Sequence, residues 1–335
     1  DFKPRYDDPR VGYFMEQVTD LTSYGVTPYK DIIHRWSLVK KNPNATMSDP
    51  VEPITWWVEN TTPREWRNTI LEAGRKWNKA FEAAGFTNAV VMKMMPDDAE
   101  WDPADIRYNV IRWVSSNLGF AIGPSFVNPR TGQILGADIT VDFGIMSRAN
   151  TENAIYDAIT AWETAPNNLH KQCQIGEGLK MQFGMASTVV ETHGEEADID
   201  ELRHQFMTYL IMHEMGHTMG LNHNMKASSM LTPAELADQS VTQKRGTQGS
   251  VMDYPSANLQ MTGKPIDYYT TLAGPYDHWA IEFGYRQFKN GEEEAGLKKI
   301  LDRSHENDLT FGNDADIVSP FGGVDPRVRT WDMNN

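Results

Sequence analysis

The stretch His213-Glu214-Met215-Gly216-His217-Thr218-Met219-Gly220-Leu221-Asn222-His223 decides the fold. His213 and His217 stand four apart, so on a helix they share one face, one turn from each other. Two imidazoles presented that way grip one zinc ion, which takes about four tetrahedral ligands with nitrogen donors at roughly 2.0–2.1 Å. His223 lies six positions beyond His217 and cannot reach the same ion from a straight helix. Gly220 resolves this, because glycine takes the positive φ that ends a helix and swings the chain back. Three protein ligands then leave a fourth position for water, the arrangement of a catalytic zinc. Glu214 is not needed as a ligand. Beside His213, its carboxylate is placed to take a proton from that water and hand it to a leaving amine, while zinc polarises the scissile carbonyl. Five fixed positions recur by chance in about one such chain in ten thousand, so an ordinary helix with surface or satisfied histidines is a poor account.

Working outward, this stretch belongs to a helix expected from about Ile199 to Leu221, capped by Asp198 or Asp200. Upstream, Ile54-Thr55-Trp56-Trp57-Val58 has the β-branched and aromatic content of a strand. Thr62 is then expected to cap a helix with Pro63 at its first position, running to about Ala84 and stopped by Gly85. Its residues Trp66, Ile70, Ala73, Trp77, Ala80 and Phe81 fall at helical spacing. Ala89 to Met95, Val110 to Val114 and Ile134 to Val141 read as strands, the last after the turn Pro129-Arg130-Thr131-Gly132. Downstream, 224–249 is polar and loop-like, with a short helix expected at Pro233 to Ala237, and Tyr276 to Tyr285 reads as another helix. Residues 151–197 carry little pattern; Ala154 to Trp162 is expected to be helical. The order gives an α/β core. The division expected is 1–53 as an N-terminal extension, 54–290 as the catalytic domain and 291–335 as a C-terminal extension. Residues 1–50 should lie against the rest, since Tyr13, Phe14, Ile32, Ile33 and Trp36 need burial.

The 335 residues include 31 Lys+Arg against 46 Asp+Glu, a net charge of -15. That excess argues against nucleic acid, for which basic patches supply most of the affinity. It serves solubility, or else a preference for basic substrates or a calcium requirement. The acidic stretch Asn313-Asp314-Ala315-Asp316 offers oxygen ligands to Ca2+ but has no EF-hand pattern. The single cysteine, Cys173, excludes an intramolecular disulfide, and its neighbours match no thiol-protease signature. No run reaches the roughly 18 apolar residues of a membrane helix. No signal peptide stands at Asp1 and no Met begins the chain, so the sequence reads as a fragment or a mature form whose targeting segment lies outside it. His34, His170, His193, His204, His278 and His305 have no ligand spacing and read as surface or core.

The spacing His213, Glu214, His217, Gly220, His223, followed by Ser250-Val251-Met252-Asp253-Tyr254-Pro255, resembles the metzincin metalloproteases, whose motif is H-E-x-x-H-x-x-G-x-x-H with a downstream Met-turn. The resemblance implies a metzincin (zincin-like) catalytic domain: a twisted mixed sheet with an antiparallel edge strand, a backing helix and an active-site helix. It implies Met252 as an apolar floor beneath the histidines. It also implies that Tyr254 ligates zinc or stabilises an oxyanion, as the equivalent tyrosine of astacins and serralysins does. Gly132 to Ile139 resembles the edge strand above the cleft, which makes Gly136 and Ala137 the expected substrate-binding positions. Tyr276 to Ile281 resembles the last helix of the clan. The long N-terminal extension looks closest to large bacterial zinc-dependent metalloproteases of Bacteroidetes-type organisms, with toxilysin-like similarity, although Asn224 after the third histidine departs from the common astacin or matrixin choice. The function implied is a zinc-dependent endopeptidase acting on extended protein or peptide segments, in an extracellular, periplasmic or outer-membrane-anchored setting. Two other readings stand beside it: a peptide-capturing module that does not cut, and a zinc hydrolase of a non-protein acyl substrate.

Overall fold

Alternation of buried and half-buried side chains in Ile54–Val58 reflects a strand lying deep in a mixed sheet with one face against helices. The computed structural model describes residues 2–26, 28–115, 121–142, 144, 175–193, 196–260, 264–317 and 325–330. In chain order the strands are β1 (Met15–Glu16), β2 (Ile32–Ile33), β3 (Ile54–Val58), β4 (Val90–Met94), β5 (Asn109–Val114), β6 (Ala121–Ile122), β7 (Ser125–Asn128) and β8 (Gln133–Asp142). The helices of more than one turn are α1 (Arg64–Ala83), α2 (Ile175–His193), α3 (Glu196–Thr218), α4 (Pro233–Leu236), α5 (Gln239–Arg245), α6 (Pro275–Tyr285), α7 (Glu293–Leu301) and α8 (Asp314–Ile317). The expected helix at Ala154 to Trp162, together with Cys173 and His170, lies outside the described residues.

The main sheet runs β4-β3-β5-β8-β6, with β7 also on β8. β4, β3, β5 and β8 are parallel neighbours, and β6 and β7 run antiparallel to β8. β8 is therefore not the edge strand. Its outer side is filled, with Ala137 opposite Ser125 and Gly136 opposite Phe126. The Ala137 N–H donates to Asn109 Oδ1 at 3.0 Å. A Cβ at Gly136 would stand 2.7 Å from the Ile106 carbonyl. Gly136 and Ala137 thus lack the free backbone groups on which their substrate-binding role was expected. The antiparallel edge falls to β6 and β7, two short strands flanking Gly123-Pro124 that carry too few alternating residues to stand out in the sequence.

α1 backs the sheet and α3 runs through the middle of the core. Phe206, Met207, Tyr209, Leu210, Ile211, Met212 and Met215 are all buried, so α3 has no solvent face along this length. The two helices are locked by packing and by Trp77, whose Nε1 donates to the Met212 carbonyl at 3.0 Å. Each large side chain wholly buried here contributes about 1.5–3 kcal/mol. Two helix starts differ from expectation. Thr62 does not cap α1: Pro63 occupies the cap position, and the buried Thr62 hydroxyl has no hydrogen-bond partner. α3 begins at Glu196, which puts Asp198 and Asp200 inside its first turns. There they complement the positive end of the helix dipole. α2 was illegible because Gly176, Gly178, Gly184 and the β-branched run Thr188-Val189-Val190 weaken helix propensity.

The N-terminal residues pack on α6 and on the end of α3. Tyr13 Oη donates to the Ala280 carbonyl at 2.7 Å, and the Tyr276 hydroxyl accepts from Gly12 N at 2.8 Å. Tyr13, Ile32 and Ile33 are buried and Trp36 is half-buried, whereas Phe14 remains 39% exposed.

Candidate metal centre

α3 ends where the sequence asks it to. Gly220 has φ +94°. Its N–H donates to the His217 carbonyl at 2.9 Å, and Leu221 N donates to the Gly216 carbonyl at 3.0 Å, a Schellman close. The orphan carbonyls of the last turn are taken by the N-terminal arm and by α6. Trp36 Nε1 donates to Thr218 O at 2.7 Å, Tyr285 Oη to Met219 O at 2.7 Å, and Phe14 N to Gly220 O at 2.7 Å. A side chain at Gly220 would overlap the His34 carbonyl. The arm therefore fixes the reversal that returns His223 toward the helix.

The reversal brings three imidazoles together. One ring nitrogen from each of His213, His217 and His223 falls within 4.8 Å of the other two. On each ring Nδ1 is already engaged. His213 Nδ1 donates to the Val251 carbonyl at 2.6 Å, His217 Nδ1 to the Leu221 carbonyl at 2.9 Å, and His223 Nδ1 to Asp314 Oδ2 at 2.7 Å. These acceptors fix the tautomer and leave Nε2 as the lone-pair donor on every ring. His213 Nε2 is buried without a partner, a cost that proteins accept where a ligand completes the group. Burial, with the other two histidines close by, holds His213 well below the usual imidazole range. Burial and His223 bring His217 down to about 3. Both rings are thus neutral at physiological pH, as metal ligands must be. Imidazole Nε2 donors in this number and spacing fit zinc.

Glu214 is 3% exposed. Burial pushes its carboxyl up to about 8, against a hydrogen bond from the Gly123 N–H that pulls it back. Gly123 lies between β6 and β7, and a Cβ there would stand 2.7 Å from the Glu214 carbonyl. The edge of the sheet is thereby seated directly on the helix turn that carries this carboxylate.

Met252 is fully buried, with its sulfur against Gly216 of α3. The turn carrying it is held from two sides. Asp277 of α6 accepts from Ser250 Oγ at 2.5 Å, from Val251 N at 2.9 Å and from Gly274 N at 2.7 Å. Tyr209 Oη donates to the Asp253 carbonyl at 2.5 Å. The Tyr254 hydroxyl makes a short hydrogen bond to His223 Nε2, and its ring lies 4.5 Å from that of His223 and 5.0 Å from that of His213. Tyr254 therefore points into the space where the three nitrogens converge.

Sequence reasoning missed four contributors. Asp314 came from a stretch read only as acidic and calcium-compatible; its side chain instead meets His223. Asp277 was visible as an acid at the start of a helix, but nothing local ties it to the Met252 turn. His34 supplies the carbonyl against Gly220, and its ring pairs with Glu16 at 3.0 Å. The half-exposed Phe14 ring stands 5.4 Å from that of His217 and forms an apolar wall at the site. No spacing rule links residues 14 and 217. His278 is not among the clustered ligands, and no described group of acids forms a second metal cluster.

A family model described as Met-zincin matches residues 195–335, from the start of α3 through the C-terminal segment. Comparison with curated proteins and with solved structures finds no match. The family match and the histidine triad together suggest a zinc-dependent peptidase, and the mixed sheet with antiparallel edge strands accords with a Met-zincin fold. No helix among the described residues is long and apolar enough to cross a membrane.

Proposed function

We propose that the chain is a zinc-dependent endopeptidase that hydrolyses extended protein or peptide segments. The observation that carries this reading is the cluster of three imidazoles, each with Nδ1 engaged so that Nε2 keeps its lone pair, on the helix that carries the buried carboxyl of Glu214. His213, His217 and His223 would hold the ion. Zinc, when bound, acidifies water and polarises a carbonyl, and its charge lowers a neighbouring carboxyl that burial has raised.

The chain's own groups do the rest. Glu214, desolvated and held by the Gly123 N–H, accepts the proton of the attacking water and delivers it to the leaving amine. Tyr254 Oη, released from His223 Nε2 when that nitrogen takes the ion, would donate to the oxygen that becomes negative as the carbonyl is attacked. Met252 supports Gly216 and with it the spacing of His213 and His217. An extended substrate is read as adding to the β6–β7 edge, where Ile122 and Phe126 present 47% and 43% exposed side chains. Phe14 offers an apolar surface to a side chain on the His217 side.

In this reading, 54–290 forms the catalytic domain, while the flanking segments 1–53 and 291–335 complete it. The finer kinship with Bacteroidetes-type and toxilysin-like enzymes, and an extracellular, periplasmic or outer-membrane-anchored setting, belong to the same proposal and rest on motif detail alone.

The deciding experiment is a peptide-library digest with the protein as isolated, after chelation, and after zinc add-back, repeated with Glu214→Ala. Cleavage that is lost on chelation, restored by zinc and reduced about 10²–10⁴-fold in the variant supports the reading. Zinc binding without cleavage points to a peptide-capturing module, and hydrolysis confined to non-peptide esters points to the acyl hydrolase.

A further inference from the structure

The residue after the third histidine, Asn224, is fully buried and turned toward the C-terminal segment. Its Nδ2 donates to the Thr310 carbonyl at 2.9 Å, and its Oδ1 accepts from Gly312 N at 3.2 Å. Next along the chain, Met225 N donates to the Gly312 carbonyl at 2.7 Å, and Arg329 N to the Met225 carbonyl at 3.0 Å. Lys226 pairs with Asp325 at 2.7 Å. Val328 and Ile317 pack with Met225 and Tyr254 in one apolar cluster. Three consecutive residues after His223 thus bind a strap made of two described stretches, 310–317 and 325–329, some ninety residues away in sequence. The strap crosses beside both His223 and Tyr254.

We propose that this strap is a working part of the metal centre, and that Asp314 is a positioning residue which orients His223 toward the ion. His213 and His217 are oriented by neutral backbone carbonyls, whereas His223 alone is oriented by a carboxylate. The difference follows from location. His213 and His217 ride on α3, whose backbone already limits where their rings can go. His223 follows a reversal in non-helical chain, so its ring needs an external anchor. A charged acceptor holds the ring N–H more strongly than a neutral carbonyl and makes the ring a better electron donor. Asn224 sets the distance by clamping residues 310–312, which places Asp314 within reach of Nδ1. This use of Asp314 displaces the calcium reading of the acidic stretch: the other acid, Asp316, accepts from Asn313 N at 2.9 Å and closes the local turn.

The inference rests on the zinc reading, and the test separates the two. Full-length protein carrying Asp314→Ala, Asp314→Asn or the control Asp316→Ala is stripped of metal. Zinc affinity is then measured by competition with a chromophoric chelator, and the cobalt-substituted forms are compared by their visible d–d bands. Asp314→Ala is expected to weaken zinc binding about 10–100-fold and to shift the cobalt bands. Asp314→Asn, whose amide oxygen still accepts from Nδ1, is expected to fall between it and the wild type, and Asp316→Ala within about twofold of the wild type. The Asp314 side chain is 57% exposed, so the alanine variant is expected to fold; should it not, the asparagine variant decides alone. Wild-type affinity and an unshifted cobalt spectrum in the Asp314 variants would overturn the inference while leaving the zinc site standing. A wild-type protein that binds no zinc overturns both.

Discussion

The sulfur of Met252 rests against Gly216, the residue before His217 on α3, so closely that a Cβ at Gly216 would overlap it. The methionine and the helix are thus fitted to each other. Gly216→Ala forces one of them to move, with an expected loss of about 1–3 kcal/mol in denaturant unfolding. Met252→Ala leaves a cavity instead and is expected to cost about 2–5 kcal/mol. Met252→Leu, which conserves volume, should cost less than about 1.5 kcal/mol and retain the metal.

Gly220 carries the second structural dependence. Its φ of +94° and the His34 carbonyl beside it leave no room for a side chain. Gly220→Ala is expected to destabilise by more than the roughly 1–2 kcal/mol of the left-handed penalty alone. It should also lower zinc affinity, because the reversal no longer returns His223. Urea unfolding combined with chelator competition measures both effects. Loss of stability at unchanged affinity would separate the turn from the site.

Tyr254→Phe removes only a hydroxyl. If that hydroxyl serves the oxyanion, kcat should fall about 10²–10³-fold with KM and zinc affinity little changed. Steady-state kinetics on a library-derived peptide decides this. A rise in KM at constant kcat would instead assign the phenol to substrate binding.

Asp277 gives a pH signature. Burial raises its carboxyl to about 6 in the folded protein, from the ordinary value of 3.8. The folded state therefore binds more protons between these values, and the stability linked to this group is fully present below 3.8 and lost as pH rises through 6. Asp277→Asn cannot titrate. The stability difference between wild type and variant should widen as pH falls from 6 toward 4, by up to about 3 kcal/mol, and stay constant above pH 7. A difference independent of pH across that window would contradict the assignment.

What the sequence made legible follows from local rules. The β3 strand, the helix ending at Gly85, the β4, β5 and β8 strands and the reversal at Gly220 each announce themselves through alternation, helical spacing or a glycine with positive φ. The ligand triad was legible because spacing on one helix plus one glycine bend fixes its geometry. What stayed hidden depends on distant chain. β8 reads as an edge strand until β6 and β7, two and four residues long, return to cover it. Asp314 reads as part of a calcium-compatible acidic stretch until Asn224 brings its segment to His223. Phe14 and His34 gain their place at the site only because the N-terminal arm folds over the end of α3. Periodicity contains no information about such contacts.

X-ray absorption at the zinc edge tests the central claim most directly. Zinc added to the metal-free protein at one equivalent should show three imidazole nitrogens at about 2.0–2.1 Å, with one imidazole lost in each of the His213→Ala, His217→Ala and His223→Ala variants. A first shell of oxygen atoms, or a wild-type spectrum that His223→Ala leaves unchanged, would contradict the convergence of the three rings on one ion.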